Sequence, residues 1–190
     1  MRRIVSLLVV SLLFGFAAAA QDKADAFIGY SYTRQNYGNG FNPINLNGGI
    51  GQVVYYPTSW LGIVGEVGGQ FTGSVSTVLP PVITPTSTSG VMYTFMGGPR
   101  IAFRHGPFQP YVQGLFGASH LDTNLQTALG ASSANGFAMA LGGGVDLKLA
   151  RHFAVRLGQL DYLLTNLNSP TNVRFTQNNF RYSAGFVFRF

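Results

Sequence analysis

The chain has 190 residues, a formal net charge of +6, no Cys, 9% charged residues, 14% aromatics and 25 glycines. Without Cys there is no disulfide and no thiolate metal site, and so many aromatic residues exclude a disordered chain. The basic residues stand singly, so the positive balance does not describe a nucleic-acid surface.

The first element is removable. Arg2 and Arg3 precede an apolar run over residues 4–16, broken only by Ser6 and Ser11, and Ala17, Ala18, Ala19 and Ala20 follow. A positive start, a short apolar middle and small residues at the end describe a secretory signal peptide. Cleavage is expected between Ala20 and Gln21. The run is shorter than the roughly 18 apolar residues of a spanning helix. Residues 21–190 then suit one domain.

A charge-poor, aromatic-rich exported chain without a long apolar helix has one economical solution. Lipid cannot hydrogen-bond a backbone, so only helices and closed barrels cross it. Each barrel strand needs about 9 to 11 residues, apolar outward. Eight segments carry that alternation.

In residues 26–34, Ala26, Ile28, Tyr30 and Tyr32 alternate with Gly29, Ser31 and Thr33, and Phe27 breaks the pattern. Residues 46–56 begin Gly-rich and leave their phase open. In 60–71, Leu61, Ile63, Val67 and Phe71 oppose Gly62, Glu66, Gly68 and Gln70. In 91–104, Val91, Tyr93, Phe95, Ile101 and Phe103 oppose Thr94, Gly98, Arg100 and Arg104. Pro99 falls on the outer face there, and it predicts a bulge because Pro cannot donate to a ladder.

In 108–120, Val112, Phe116 and Ala118 oppose Gln113 and Ser119. Residues 136–149 alternate most cleanly, with Phe137, Met139, Leu141, Val145, Leu147 and Leu149 against Ala138, Ala140, Asp146 and Lys148. In 153–164, Phe153, Val155 and Leu157 oppose Arg156, and the phase is lost at Gln159 and Asp161, which predicts a bulge or emergence from the bilayer. In 179–190, Phe180, Tyr182, Ala184, Phe186, Phe188 and Phe190 oppose Arg181, Ser183, Gly185 and Arg189. Helical spacing mixes the faces that steps of two separate.

The connections agree. Short turns at 57–59, 105–107 and 150–152 alternate with long connections at 35–45, 72–90, 121–135 and 165–178. That is the rhythm of an outer-membrane barrel with tight periplasmic turns and long extracellular loops. The expectation is an all-β, eight-stranded antiparallel up-and-down transmembrane barrel with both termini periplasmic.

Trp60, Phe103 and Phe153 fall at one height as a periplasmic aromatic girdle, with Phe188 and Phe190 near it; Tyr32, Tyr93 and Phe180 suit the opposite girdle. On the inward faces, Glu66, Arg100, Asp146 and Arg156 stand near the same depth. Strand adjacency pairs Glu66 with Arg100 and Asp146 with Arg156, or joins all four, with Lys148, Arg181 and Arg189 as additions. An eight-stranded bore is just wide enough for side chains to fill. The set therefore reads as a structural plug, against the rival of an ion path or proton relay.

Alternating aromatics ending at Phe190, behind a signal peptide, resemble the small eight-stranded outer-membrane barrel family that includes the transmembrane domain of outer membrane protein A and the opacity adhesins. The resemblance covers about residues 25–190 and has no counterpart of the larger members' peptidoglycan-binding domain. It implies outer-membrane lipid as the environment. It also implies that the barrel assembly machinery reads Phe186, Phe188 and Phe190. A monomer is expected. No cofactor, metal or nucleic acid is expected, and no loop motif names an extracellular ligand.

Some such barrels modify lipid A with a Ser/His/acid set. Here Ser119, His120 and Asp122 gather at one strand end, but adjacent strand residues point to opposite faces. The readings in order are a non-enzymatic barrel serving envelope integrity or surface interaction through four loops, a narrow pore, and a lipid-modifying enzyme. A soluble lipocalin-like barrel would instead carry its aromatics inward.

Overall fold

The computed structural model describes residues 23–36, 44–77, 86–125, 131–168 and 174–190. The expected signal segment and its expected cleavage point between Ala20 and Gln21 lie outside the described residues. Eight strands follow in chain order: β1 (Ala24–Asn36), β2 (Ile44–Tyr55), β3 (Leu61–Thr77), β4 (Thr86–Ala102), β5 (Phe108–Leu125), β6 (Ala131–Lys148), β7 (Phe153–Asn168) and β8 (Arg174–Arg189). Each pairs antiparallel with the next, and β1 closes on β8 from Asp25 opposite Arg189 to Asn36 opposite Asn178. This is an up-and-down barrel with no helix among the described residues. Ala24 and Phe190 exchange backbone hydrogen bonds of 3.2 and 2.9 Å, so both described ends lie beside the three short turns. We call this the turn end, and the opposite rim the loop end.

The faces sort by chemistry. Ile28, Ile63, Val67, Phe95, Phe116, Leu141 and Phe186 are each more than half exposed on the outside. Glu66, Gln70, Arg100, Gln113, Asp146, Arg156 and Arg181 are buried inside. A soluble protein rarely exposes so continuous an apolar surface. A lipocalin-like interior is thereby excluded.

Three local readings resolve. Phe27 faces the bore beneath the Arg156 guanidinium, 4.0 Å from its ring centroid. Gly29, two residues on, leaves the room: a Cβ there would stand 2.6 Å from the Phe27 ring. β2 turns Leu46, Ile50, Gln52 and Val54 inward and leaves Gly49 and Gly51 on the outer side. Its largest aliphatic side chains therefore line the bore, which is why its phase could not be read.

β7 carries a bulge. Val145 faces Gly158 while Asp146 faces Arg156, and the β8 ladder shifts at the same place. The extra residue, at Leu157 and Gly158, returns Gln159 and Asp161 to the bore. A bulge on the lipid side leaves backbone groups that lipid cannot satisfy. Here the Tyr182 hydroxyl donates to the Leu157 carbonyl at 3.0 Å. Gly158 lets it approach, since a Cβ there would stand 3.1 Å from the Tyr182 ring.

Two expectations are corrected. Pro99 lies on the outer face but makes no bulge, for Gly97 opposite Phe116 and Arg100 opposite Gln113 keep one register. The missing donor leaves a gap in the β4–β5 ladder and adds no residue. The stretches read as long connections are also largely strand. Pairing continues to Thr77 opposite Thr86, Asn124 opposite Ala131 and Asn168 opposite Arg174. These ends are Ser-, Thr- and Asn-rich, so they pair without the apolar alternation that marks a strand in lipid. The turn before β5 includes Gly106 at φ 77°, a conformation that Gly adopts without the Cβ penalty.

Candidate functional site: an ionic network across the bore

Seven of the eight strands contribute to one connected network of polar side chains in the middle of the bore. Gln52 comes from β2, Glu66 from β3, Arg100 from β4, Tyr111 and Gln113 from β5, Asp146 from β6, Arg156, Gln159 and Asp161 from β7, and Arg181 from β8. All are buried. The set holds as many carboxylates as guanidiniums, so it is neutral.

Arg181 is the hub. Its Nη1 and Nη2 donate to Glu66 Oε1 and Oε2 at 2.7 and 3.1 Å. Its Nε and Nη2 also donate to Asp161 Oδ2 at 3.0 and 2.7 Å. Arg156 makes the second pair, with Nε and Nη2 on the two Asp146 oxygens at 2.8 and 3.3 Å. Glutamines join the pairs. Gln52 Oε1 accepts from Arg100 Nη2 at 2.5 Å and Arg156 Nη1 at 2.7 Å, and its Nε2 donates to Glu66 at 2.6 Å. Gln159 Oε1 accepts from Arg156 Nη1 and the Tyr111 hydroxyl, at 2.6 and 2.7 Å, and its Nε2 donates to Asp161 at 2.6 Å. Arg100 donates to Gln113 Oε1 from Nε and Nη2 and stacks on Tyr111 at 4.0 Å.

Large side chains fill the narrow bore because glycines stand opposite them. A Cβ on Gly142 would meet Asp161 Oδ1 at 2.4 Å, and one on Gly144 the Tyr111 hydroxyl at 2.6 Å. Desolvating a charge costs several kcal/mol, and only close pairing with further hydrogen bonds repays it. Each carboxylate here has an Arg within 3 Å.

Asp146 and Arg156 are brought together. Glu66 and Arg100 do not pair directly, for Glu66 reaches across the bore to Arg181 and Arg100 takes the glutamines, but Gln52 bonds Glu66, Arg100 and Arg156, so all four residues stand in one shared cluster. Arg181, foreseen only as an addition, holds two carboxylates. Asp161 was missed because the Leu157 bulge lies before it. Lys148 is exposed at the turn end, and Arg189 lies near Asp25, away from this network.

The aromatics ring the turn end. Trp60 and Phe103 are exposed, and Phe153 packs on Phe186 and Phe188 with ring centroids 5.8 Å apart in both pairs. Phe190 is exposed beside them, and Phe108 adds an aromatic that strand counting omitted. At the loop end, Tyr93 and Phe180 are exposed and Tyr32 is half-buried. His120 Nδ1 contacts Asn135 Oδ1 at 2.6 Å and Nε2 contacts Asp122 at 3.2 Å. Ser119 is buried on the opposite face with no hydrogen-bond partner. Both ladders of β5 keep register through Ser119 and His120, so no nucleophile–base pair forms. Among the described residues no group of three His, Asp or Glu could hold a metal.

An apolar exterior around an ionic, filled bore is the architecture of an integral membrane β-barrel. The family model described as outer membrane protein beta-barrel domain matches residues 5–190, and the chain belongs to that family of outer-membrane proteins. Among solved structures it is similar to Ail, the attachment invasion locus protein of Yersinia pestis. Identity is 19% over 90% of this chain and 99% of that one, with a TM-score of 0.64. It is also similar to Neisserial surface protein A, at 11% identity over 88% and 97% of the two chains, with a TM-score of 0.59. At these identities the likeness is one of fold. No curated protein matches the chain in sequence.

Proposed function

We propose that this protein is a non-enzymatic outer-membrane barrel that works through its loop end, in envelope integrity or surface contact, and not through its bore. The observation that carries the reading is the neutral network of Glu66, Arg100, Asp146, Arg156, Asp161 and Arg181 filling the cross-section, which acts as a plug. Strands of 17 and 18 residues in β3 to β6 exceed the about 9 to 11 that lipid requires, so a paired, polar sheet projects past the membrane. Ail, of like fold, is named for attachment and invasion and has been solved with the heparin analogue sucrose octasulfate. That supports surface contact as the class of role.

In this reading residues 1–20 are the export signal, cleaved after Ala20, and both termini of the monomer face the periplasm. Phe186, Phe188 and Phe190 present the assembly signal, and Trp60, Phe103 and Phe153 anchor the periplasmic interface. The test joins fractionation with planar-bilayer conductance. The protein should sediment with outer membranes, run at a different apparent size unheated and boiled, and hold bilayers at baseline current. Steady unit conductance from the purified wild type would replace the plug by the narrow pore.

A further inference from the structure

The lipid side of β2 carries no side chain through the middle of the strand. Gly49 and Gly51 stand there opposite Tyr30 and Ile28 of β1. On the other flank Val67 faces Gly51 and Phe71 faces Asn47, with a gap at Gly69 between them. β2 is therefore the floor of a trough, and β1 and β3 are its walls. Val53, exposed, closes β2 beyond Gly51, and the floor steps across to Gly65 and Gly97, which face each other. The floor is open. A Cβ on Gly51 or Gly49 would meet nothing nearer than 3.7 or 3.8 Å, and one on Gly65 nothing within 4 Å. A cavity of about 590 Å³, with Ala26, Ile28, Gly51, Gly65, Val67 and Phe116 in its lining, occupies this lower end.

The upper end is polar. The Tyr30 hydroxyl donates to Asn47 Oδ1, and Arg34 and Asn45 stand opposite each other further toward the loop end. Both are exposed, and Arg34 makes no ion pair or hydrogen bond among the described residues. Asp122, the outward acid among the described residues, is on β5, four strands away. From Gly51 to Asn45 the trough follows β2 for about 20 Å, at about 3.4 Å per residue. A barrel strand tilts by about 45°, so this length covers about 14 Å of depth, one leaflet of a roughly 30 Å hydrocarbon core.

We propose that the trough binds one phosphorylated acyl lipid from the leaflet on the loop-end side. An acyl chain lies on Gly49, Gly51 and Gly65 between the two walls, and the phosphate accepts from Arg34, a charge-assisted hydrogen bond. The apolar floor, the depth of one leaflet and the unpaired cation at the lip select that occupant together. Shape argues against a second barrel. The walls stand two strand spacings apart, about 10 Å, which admits a chain and not another convex wall. The lining also falls far short of the about 800 Å² per partner of a stable interface.

The experiment is native mass spectrometry of the refolded full barrel from neutral-detergent micelles, titrated with dimyristoyl phosphatidate and with dimyristoyl glycerol, which has the chains and no phosphate. The wild type should retain one phosphatidate, about tenfold tighter than the diacylglycerol, because the bond to Arg34 needs the phosphate. Arg34→Gln should make the two lipids equal, and Lys23→Gln, at the turn end, should not. Gly51→Leu fills the floor and should weaken phosphatidate about tenfold. Gly114→Leu should leave it unchanged, for Gly114 is an equally open outward position off the trough, where a Cβ meets only Leu141 at 3.8 Å. Each variant is checked for folding by its unheated gel band. Equal affinity of the wild type for the two lipids, or equal effects of Gly51→Leu and Gly114→Leu, would overturn the site. Wild-type dimers that Gly51→Leu abolishes would give the trough to a second copy and overturn the lipid.

Discussion

Replacing Glu66 by Ala removes one carboxylate from the middle of a neutral network. Two hydrogen bonds to Arg181, at 2.7 and 3.1 Å, and one from Gln52, at 2.6 Å, are lost. Arg181 keeps Asp161 at 2.7 Å, so it is left half-compensated and fully buried. Breaking a buried pair from one side costs about 3 to 5 kcal/mol, and the surviving Asp161 contact places this case near about 3. That is a shift of about a hundredfold in the folding equilibrium. The assay is urea unfolding in lipid vesicles followed by Trp60 fluorescence, for Trp60 is the chain's single Trp and is exposed at the turn end. Val67→Ala, one residue along and facing lipid, is the control and should cost less than about 1 kcal/mol. A Glu66→Ala barrel that keeps its wild-type midpoint and conducts steadily would refute the plug, since the carboxylate would then hold a path shut without holding the fold together.

Two further outcomes follow from the packing. Tyr182→Phe removes the donor to the Leu157 carbonyl at the β7 bulge and should destabilise the barrel by about 1 to 3 kcal/mol in lipid, read by the same titration. Gly29→Ala would place a Cβ 2.3 Å from the Ala184 carbonyl and 2.6 Å from the Phe27 ring, so it should cost about 1 to 3 kcal/mol. Gly65→Ala meets nothing within 4 Å and should stay within about 0.5 kcal/mol of wild type. Similar losses for the two glycine variants would mean that the bore is not close-packed.

What the sequence revealed was set by where each strand meets lipid. β6 reads cleanly because Phe137 to Leu147 alternate against Ala138 to Asp146 with no interruption. β8 reads as cleanly, and its Arg181 was placed inward from the alternation alone. The reach of that side chain was not legible, because the bore is narrow enough for Arg181 to bond Glu66 from a strand that is not its neighbour. Adjacency along the sheet offered Glu66 with Arg100 as a direct pair; cross-bore distance gives Glu66 to Arg181 instead. The other alternative, one shared cluster, is what Gln52 builds by bonding Glu66, Arg100 and Arg156. Asp161 was lost to one extra residue at Leu157, since a single inserted position reverses every later side chain. The loop-end strand extensions were lost for a different reason. Outside lipid both faces of a paired strand tolerate Ser, Thr and Asn, so the period of two disappears while the ladder continues.

The chain has no Cys, so single-Cys variants can be labelled against a clean background. Phe137→Cys, Leu141→Cys, Phe186→Cys and Ala140→Cys barrels, reconstituted in vesicles, should be treated with a thiol reagent confined to the hydrocarbon layer. Cys at 137, 141 and 186 should react, and Cys at 140, facing the bore beside a buried network, should not. Reaction at 140 with protection at 137, 141 and 186 would contradict the inside-out arrangement on which both the membrane assignment and the plug depend.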